Sequence, residues 1–219
     1  MKNIIVIISI ILLSIGCRKD ELPTVKDIDG NEYHYTTIGS QMWMVENLRT
    51  TRYRNGDSIP DVTDNTEWRN LTSGAFCYYN NDSNNGKTYG LLYNWYVPGD
   101  NRNVAPTGWR VATVDDWNTL INYLGGTGVA GGKLKESGNS HWISANSDAS
   151  NAFNFSALPS GLRDNHGNYT QQGETTEWWI PKEYDSIVAW FTQIADGTSI
   201  QVSGFGQKNF GLSIRCIRE

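Results

Sequence analysis

Apolar residues fill positions 4 to 15, interrupted only by Ser9 and Ser14, and beyond Val25 they recur in short runs cut by turn residues. Those later runs predict strands. Asp29-Gly30 is a hairpin dipeptide. Glu32 to Ile38 is rich in Tyr and Thr, and Gly39-Ser40 turns the chain into Gln41 to Leu48, where Met42, Trp43 and Met44 alternate faces. The polar stretch from Thr50 to Gly74 reads as loop, Ala75 to Tyr79 as a strand, and Asn80 to Gly86 as a turn-rich tip. One segment has a helical period: Trp117, Leu120, Ile121 and Leu124 fall at i, i+3, i+4 and i+7 and give one apolar face over Asp115 to Leu124. Thr113 and Asp116 are spaced to cap its start, Asp115 and Asp116 suit the positive end of the helix dipole, and Gly125 stops it. A second helical turn is expected over Leu91 to Tyr96, and strands over Ile187 to Ile194, Ser199 to Ser203 and Phe210 to Arg218. In the last of these Phe210, Leu212, Ile214 and Cys216 share one face. That places the terminal strand centrally, against the Cys77 segment.

The first apolar block has a different meaning. It follows Lys2 and ends at Gly16 and Cys17, the layout of a cleavable export signal with a charged start, an apolar middle and a small residue at the cut. It is shorter than the about 20 residues of a transmembrane helix. Gly16 before Cys17 fits lipoprotein signal peptidase, although Ser14 stands where Leu is usual. Cys17 is therefore the expected lipidation site, and the lipid would tie the chain to a membrane. Lys19, Asp20 and Glu21 resemble the surface-export signal of Bacteroidota lipoproteins, which implies display on the outer face of the outer membrane. The organisation expected is a signal peptide over 1–16, a lipidated tether over 17–24 and one domain over 25–219.

Composition narrows the partners. The net charge is −5 and no Lys/Arg stripe is present, which argues against a nucleic-acid partner. With Cys17 acylated, Cys77 and Cys216 remain. Two cysteines outside the cytoplasm point to one disulfide, the alternative being two buried free thiols. Catalytic and metal motifs are not found. His34, His141 and His166 are scattered without an HExxH pair, and there is no GxSxG elbow. Gly126, Gly128 and Gly131 spell GxGxxG, but they follow a helix instead of a strand. Asn80 to Gly86 offers oxygens at alternate positions, as a calcium loop would, without the closing Glu; a solvated turn is the favoured reading and no cofactor is expected.

Nine Trp and eleven Tyr set among Asn, Ser, Thr and Gly are the more informative feature. Flat rings stack on sugars and amides bind their hydroxyls, although most Trp rings belong to cores. The polar segment Gly161 to Thr176 followed by tandem aromatics supplies the candidate ligand-binding set: Arg163, Asn165, Trp178, Trp179, Tyr184 and Trp190.

Five blocks, in order, carry a resemblance: Trp43-Met44-Val45-Glu46-Asn47-Leu48, Tyr89-Gly90-Leu91-Leu92-Tyr93-Asn94-Trp95-Tyr96, Pro106-Thr107-Gly108-Trp109-Arg110-Val111, Phe155-Ser156-Ala157-Leu158-Pro159-Ser160-Gly161, and Gly211-Leu212-Ser213-Ile214-Arg215-Cys216-Ile217-Arg218. They resemble the Fibrobacter succinogenes major paralogous domain, found in exported bacterial proteins and similar at its closing strand to C-type-lectin-like domains. The resemblance implies an α+β fold of that type: a twisted antiparallel sheet, one main helix, long loops and termini close together. Departures are Ala105 where the family often has Cys, Arg110 and Ala112 where His and Pro are usual, and Ile180-Pro181 where small hydroxyl residues follow the tandem aromatics. The function expected is non-catalytic binding of a glycan or another surface polymer. The alternatives are a structural or adhesion component that recognises protein, and an enzyme on the scaffold of the formylglycine-generating enzymes, which needs a reactive thiol.

Overall fold

The computed structural model describes residues 21–143, 146, 148–195, 197 and 199–219; the expected signal and Cys17 lie outside them. Strand β1 (Thr24–Lys26) turns through a loop in which the Asp27 carboxylate accepts the backbone N–H groups of Asp29 and Asn31, each at 2.9 Å, with Gly30 at φ +82°. The chain returns as β2 (Glu32–Ile38), reverses over Gly39-Ser40 and continues as β3 (Gln41–Met44). Within the long polar stretch, Asp64 caps a short helix α1 (Asn65–Arg69). Next come β4 (Phe76–Cys77), α2 (Ser83–Tyr89) capped by Asp82, β5 (Leu92–Tyr93) and β6 (Trp109–Val111).

Helix α3 (Val114–Tyr123) has the expected capping box between Thr113 and Asp116, and Asp116 also pairs with Arg110 of β6. Its apolar face of Trp117, Leu120 and Ile121 is buried. Gly125 and Gly126, both at positive φ, lead straight into α4 (Thr127–Leu134), a helix the pattern did not predict. The rest is β7 (Ser160–Arg163), β8 (Tyr169–Gln172), β9 (Thr176–Glu183), β10 (Val188–Ile194), β11 (Ile200–Gln207) and β12 (Cys216–Arg218). Leu91 to Tyr96, expected as a helical turn, instead contains β5 followed by turns, because Leu92 and Tyr93 pair with Cys77 and Phe76.

The class is α+β, with antiparallel pairing in all named ladders. One sheet has the order β1-β2-β3-β12-β6, a second β11-β10-β9, and β4-β5 and β7-β8 form two small ribbons. The final segment joins them. Gly211 bridges to Arg163 of β7, Leu212 to Tyr93 of β5, and Ser213 to Trp178 of β9, before Cys216 to Arg218 enter the five-stranded sheet between β3 and β6. Eight consecutive residues thus contact all four sheets. This is why both faces of the segment are buried: Leu212, Ile214 and Cys216 on one, Ser213 and Arg215 on the other.

The expected disulfide is not formed. Cys77 and Cys216 are both buried free thiols. Cys77 packs with Val62, Trp68 and Tyr79, whereas Cys216 packs in a separate cluster with Tyr93, Val111 and Ile214. Burial pushes the two thiols up, to about 11 and about 12.

Candidate functional site

Strand β9 begins deep in the molecule and ends in solvent. Thr176 to Ile180 are buried, whereas Lys182, Glu183 and Tyr184 are exposed. Successive side chains of a strand point to opposite faces, so Trp178 and Trp179 diverge, but each face has its own cover. Trp178 stacks on Trp117 of α3 at 5.3 Å and 29°, and its indole N–H donates to Asn47 Oδ1 at 2.7 Å. Trp179 packs with Trp95, Leu162, Ala189 and Leu212 and donates to the Tyr93 carbonyl at 2.8 Å. Both rings are 0% exposed. The expectation that this pair presents a ring to ligand is therefore corrected: both are core residues.

Arg163 is corrected in the same way. It is 0% exposed, and its guanidinium donates to the Gly167, Val62 and Thr63 carbonyls and to Asn65 Oδ1 at 2.6–3.1 Å, with its cation over the Trp68 and Tyr169 rings. Its role is to fix the β7-β8 ribbon to the loop before α1. Asn165 is half-buried in the turn between those strands, where Asp164 accepts the backbone N–H groups of His166 and Asn168 at 2.8 Å.

Tyr184 and Trp190 do come together, and Phe205 adds a third ring. The Tyr184 ring lies 5.1 Å from Phe205 and 6.4 Å from Trp190, and Lys182 Nζ sits 4.9 Å over the Trp190 ring. Tyr184 is 54%, Ile187 65% and Phe205 67% exposed. The patch has a local cause. Ala189 pairs with Glu183 and Phe191 with Trp179, so three residues of β9, Ile180 to Lys182, face one residue of β10. Pro181 sits in this bulge, where its missing N–H costs no ladder hydrogen bond. On the other side, Ala189 pairs with Gly206 and Phe191 with Ser203, a second irregularity. The hairpin tip beyond the bulges is held by Asp185, whose carboxylate accepts the N–H groups of Ile187 and Val188, and by Lys208, which pairs with Glu183 at 2.6 Å. No alternation signal marked Phe205: the irregularity between Ser203 and Gly206 interrupts the period-two pattern that Ile200 and Val202 set.

Two other groups bear on chemistry. Glu177 is 5% exposed, its only side-chain partner among the described residues is Gln193 Nε2 at 2.7 Å, and burial pushes its carboxyl up to about 7. At the stretch considered for calcium, Asp82 Oδ1 is occupied by the backbone N–H and side-chain amide of Asn84. Among the described residues no group of three His, Cys, Asp or Glu is placed to hold a metal ion.

Residues 36–218 match the Fibrobacter succinogenes major domain family. The chain belongs to that family. No curated protein and no solved structure matches it. In this Fibrobacter succinogenes major domain the five sequence blocks meet in one buried place. Arg215, 1% exposed, donates to the Met44, Val45 and Phe155 carbonyls and twice to Asn47 Oδ1, with its guanidinium 4.4 Å from the Phe155 ring centre. Asn47 in turn donates to the Tyr89 carbonyl and to Ser213 Oγ, and Ser213 continues to Ser160. The Pro106 to Val111 block joins through Val111, paired with Cys216. Burial lowers the guanidinium's affinity for its proton, and the carbonyl oxygens and ring faces offset that cost. These blocks are joints of the fold, and the exposed aromatic patch lies outside all of them.

Proposed function

We propose that this domain is a non-catalytic binding module, held at the outer-membrane surface by a lipid on Cys17, that grips a glycan or similar surface polymer through Tyr184, Trp190 and Phe205. The observation that carries this reading is the pair of exposed rings, Tyr184 and Phe205, contiguous with the partly buried Trp190 at a braced hairpin tip. Singly exposed apolar residues are ordinary, whereas a cluster marks an interaction surface. Lys182, Asp185 and Gln207 offer hydrogen-bonding groups on the same hairpin and its neighbour. The finer fold assignment, a C-type-lectin-like domain, is part of this proposal. It is supported by the antiparallel five-stranded sheet in which β1 and β12 both lie, and by Thr24, Val25 and Arg218 lining one cleft of about 230 Å³. The non-catalytic reading is supported by two thiols that are buried and raised, the opposite of a reactive cysteine.

The test is a glycan array probed with soluble chain starting after Cys17. Binding by the native chain and its loss in Tyr184→Ala with Phe205→Ala are expected; an array without hits counts against the glycan. A protein ligand is the second reading, favoured by Ile187 and Phe205, which lack polar tips. It predicts cross-linking to a surface protein through the same patch.

A further inference from the structure

A second candidate binding site lies away from the aromatic hairpin, between the β1-β2 turn and α2. There, Asp29, Arg49, Tyr78, Gly86, Lys87 and Leu91 help to line an open cleft of about 300 Å³. That volume is at the small end of ligand sites, roughly 300–1,000 Å³. Its charge is unlike the chain's. The protein carries −5, yet the cleft has two cations and one carboxylate. The carboxylate is already engaged: Asp29 accepts from Thr50 and Thr51 at 2.6–3.0 Å and pairs with Arg52 at 3.3 Å. The cations are not neutralised. Arg49 is positioned by the Glu32 carbonyl at 2.9 Å and the Tyr33 ring at 4.9 Å, and neither it nor Lys87 has an ion pair among the described residues.

The wall is prearranged. The half-buried Tyr78 ring stands edge-on to Phe76 at 5.9 Å, and a Cβ on Gly86 would come within 2.8 Å of it. Glycine in α2 is thus what lets the ring lie against the helix, while buried Leu91 makes an apolar floor. A ring wall lined also by two cations without ion pairs matches a small, flat ligand that is apolar on one face and anionic at an edge.

We infer that this cleft binds an acidic sugar unit, with the carboxylate taken by Arg49 and Lys87 and the sugar face set on Tyr78. The inference stands independently of the aromatic hairpin. The probe is trigalacturonate, with its fully methyl-esterified form as the neutral control, titrated into the full chain by calorimetry. Expected are binding of the acid, at least tenfold weaker binding of the ester, and weakening of the acid as NaCl rises from about 50 to about 500 mM. Lys87→Ala, at an exposed position, lowers affinity at least fivefold with unchanged thermal unfolding, and Lys87→Arg restores it. Tyr184→Ala with Phe205→Ala leaves this binding intact, so failure here and failure of the hairpin reading are separable. No binding of the acid, equal binding of the ester, or an unaltered affinity in Lys87→Ala would each overturn the inference.

Discussion

Arg215 donates two hydrogen bonds, at 3.0 and 2.8 Å, to a single oxygen, Asn47 Oδ1, and no carboxylate contacts this buried guanidinium among the described residues. The same oxygen takes the Trp178 indole N–H, so one amide joins the end of β3, the core of β9 and the closing segment. Removing it leaves the buried Trp178 indole N–H without its acceptor and takes two hydrogen bonds from a buried cation that keeps the Met44, Val45 and Phe155 carbonyls. Asn47→Leu is expected to destabilise the fold by about 3–5 kcal/mol. Urea unfolding measures this; a loss below about 1 kcal/mol contradicts the hub role.

Trp178→Ala and Trp179→Ala are predicted to act through stability. Each empties a fully buried site and costs about 3–5 kcal/mol. Tyr184→Ala changes stability by less than about 1 kcal/mol, because its ring is half exposed. Unfolding curves for the three variants, collected beside any binding assay, separate a ligand contact from a core residue. Equal small losses at all three positions would contradict the burial of the Trp pair.

Glu177 makes stability pH-dependent. Burial raises its folded pKa from the ordinary 4.5 to about 7, with the Gln193 hydrogen bond working against the rise. Below about pH 4.5 folded and unfolded chains both hold the proton and this carboxyl imposes no penalty. Between about 4.5 and 7 the folded chain retains a proton that the unfolded chain gives up, so stability falls, by up to about 3 kcal/mol when pH has passed 7. Glu177→Gln removes most of this slope. Urea unfolding at about pH 5 and about pH 8 checks it; an identical slope in the variant assigns the effect elsewhere.

The thiols give a chemical test of the fold. In the folded chain starting after Cys17, Cys77 and Cys216 are expected to resist a thiol reagent, and in denaturant both react without prior reduction. A Cys77–Cys216 cross-linked peptide in a non-reduced digest would contradict the structure.

What could be read from the sequence divides along physical lines. Helix α3 was legible because its four apolar positions repeat at 3–4 spacing and its cap is local. The central place of β12 was legible from the apolar residues around Cys216. Helix α4 was not, since Gly128, Gly131 and Gly132 weaken its intrinsic propensity and its formation depends on packing against β11, a contact far off in sequence. Tandem Trp178 and Trp179 showed that two faces exist, but only the fold shows that both are covered. The cysteine count likewise says nothing about which cluster each thiol joins. Of the candidate site, Tyr184 and Trp190 survive as neighbours, while Phe205 joins them from the irregular part of β11, where the period-two pattern is broken.

The most direct test of the binding account uses whole cells. Cys17→Ala is expected to release the protein from the membrane, and a lipidated Tyr184→Ala, Phe205→Ala chain is expected to stay displayed, remain folded and lose at least tenfold in affinity for the glycan that the native chain retains. Measured by surface labelling with that glycan, near-native retention by the double variant would contradict the claim that the hairpin rings hold the ligand.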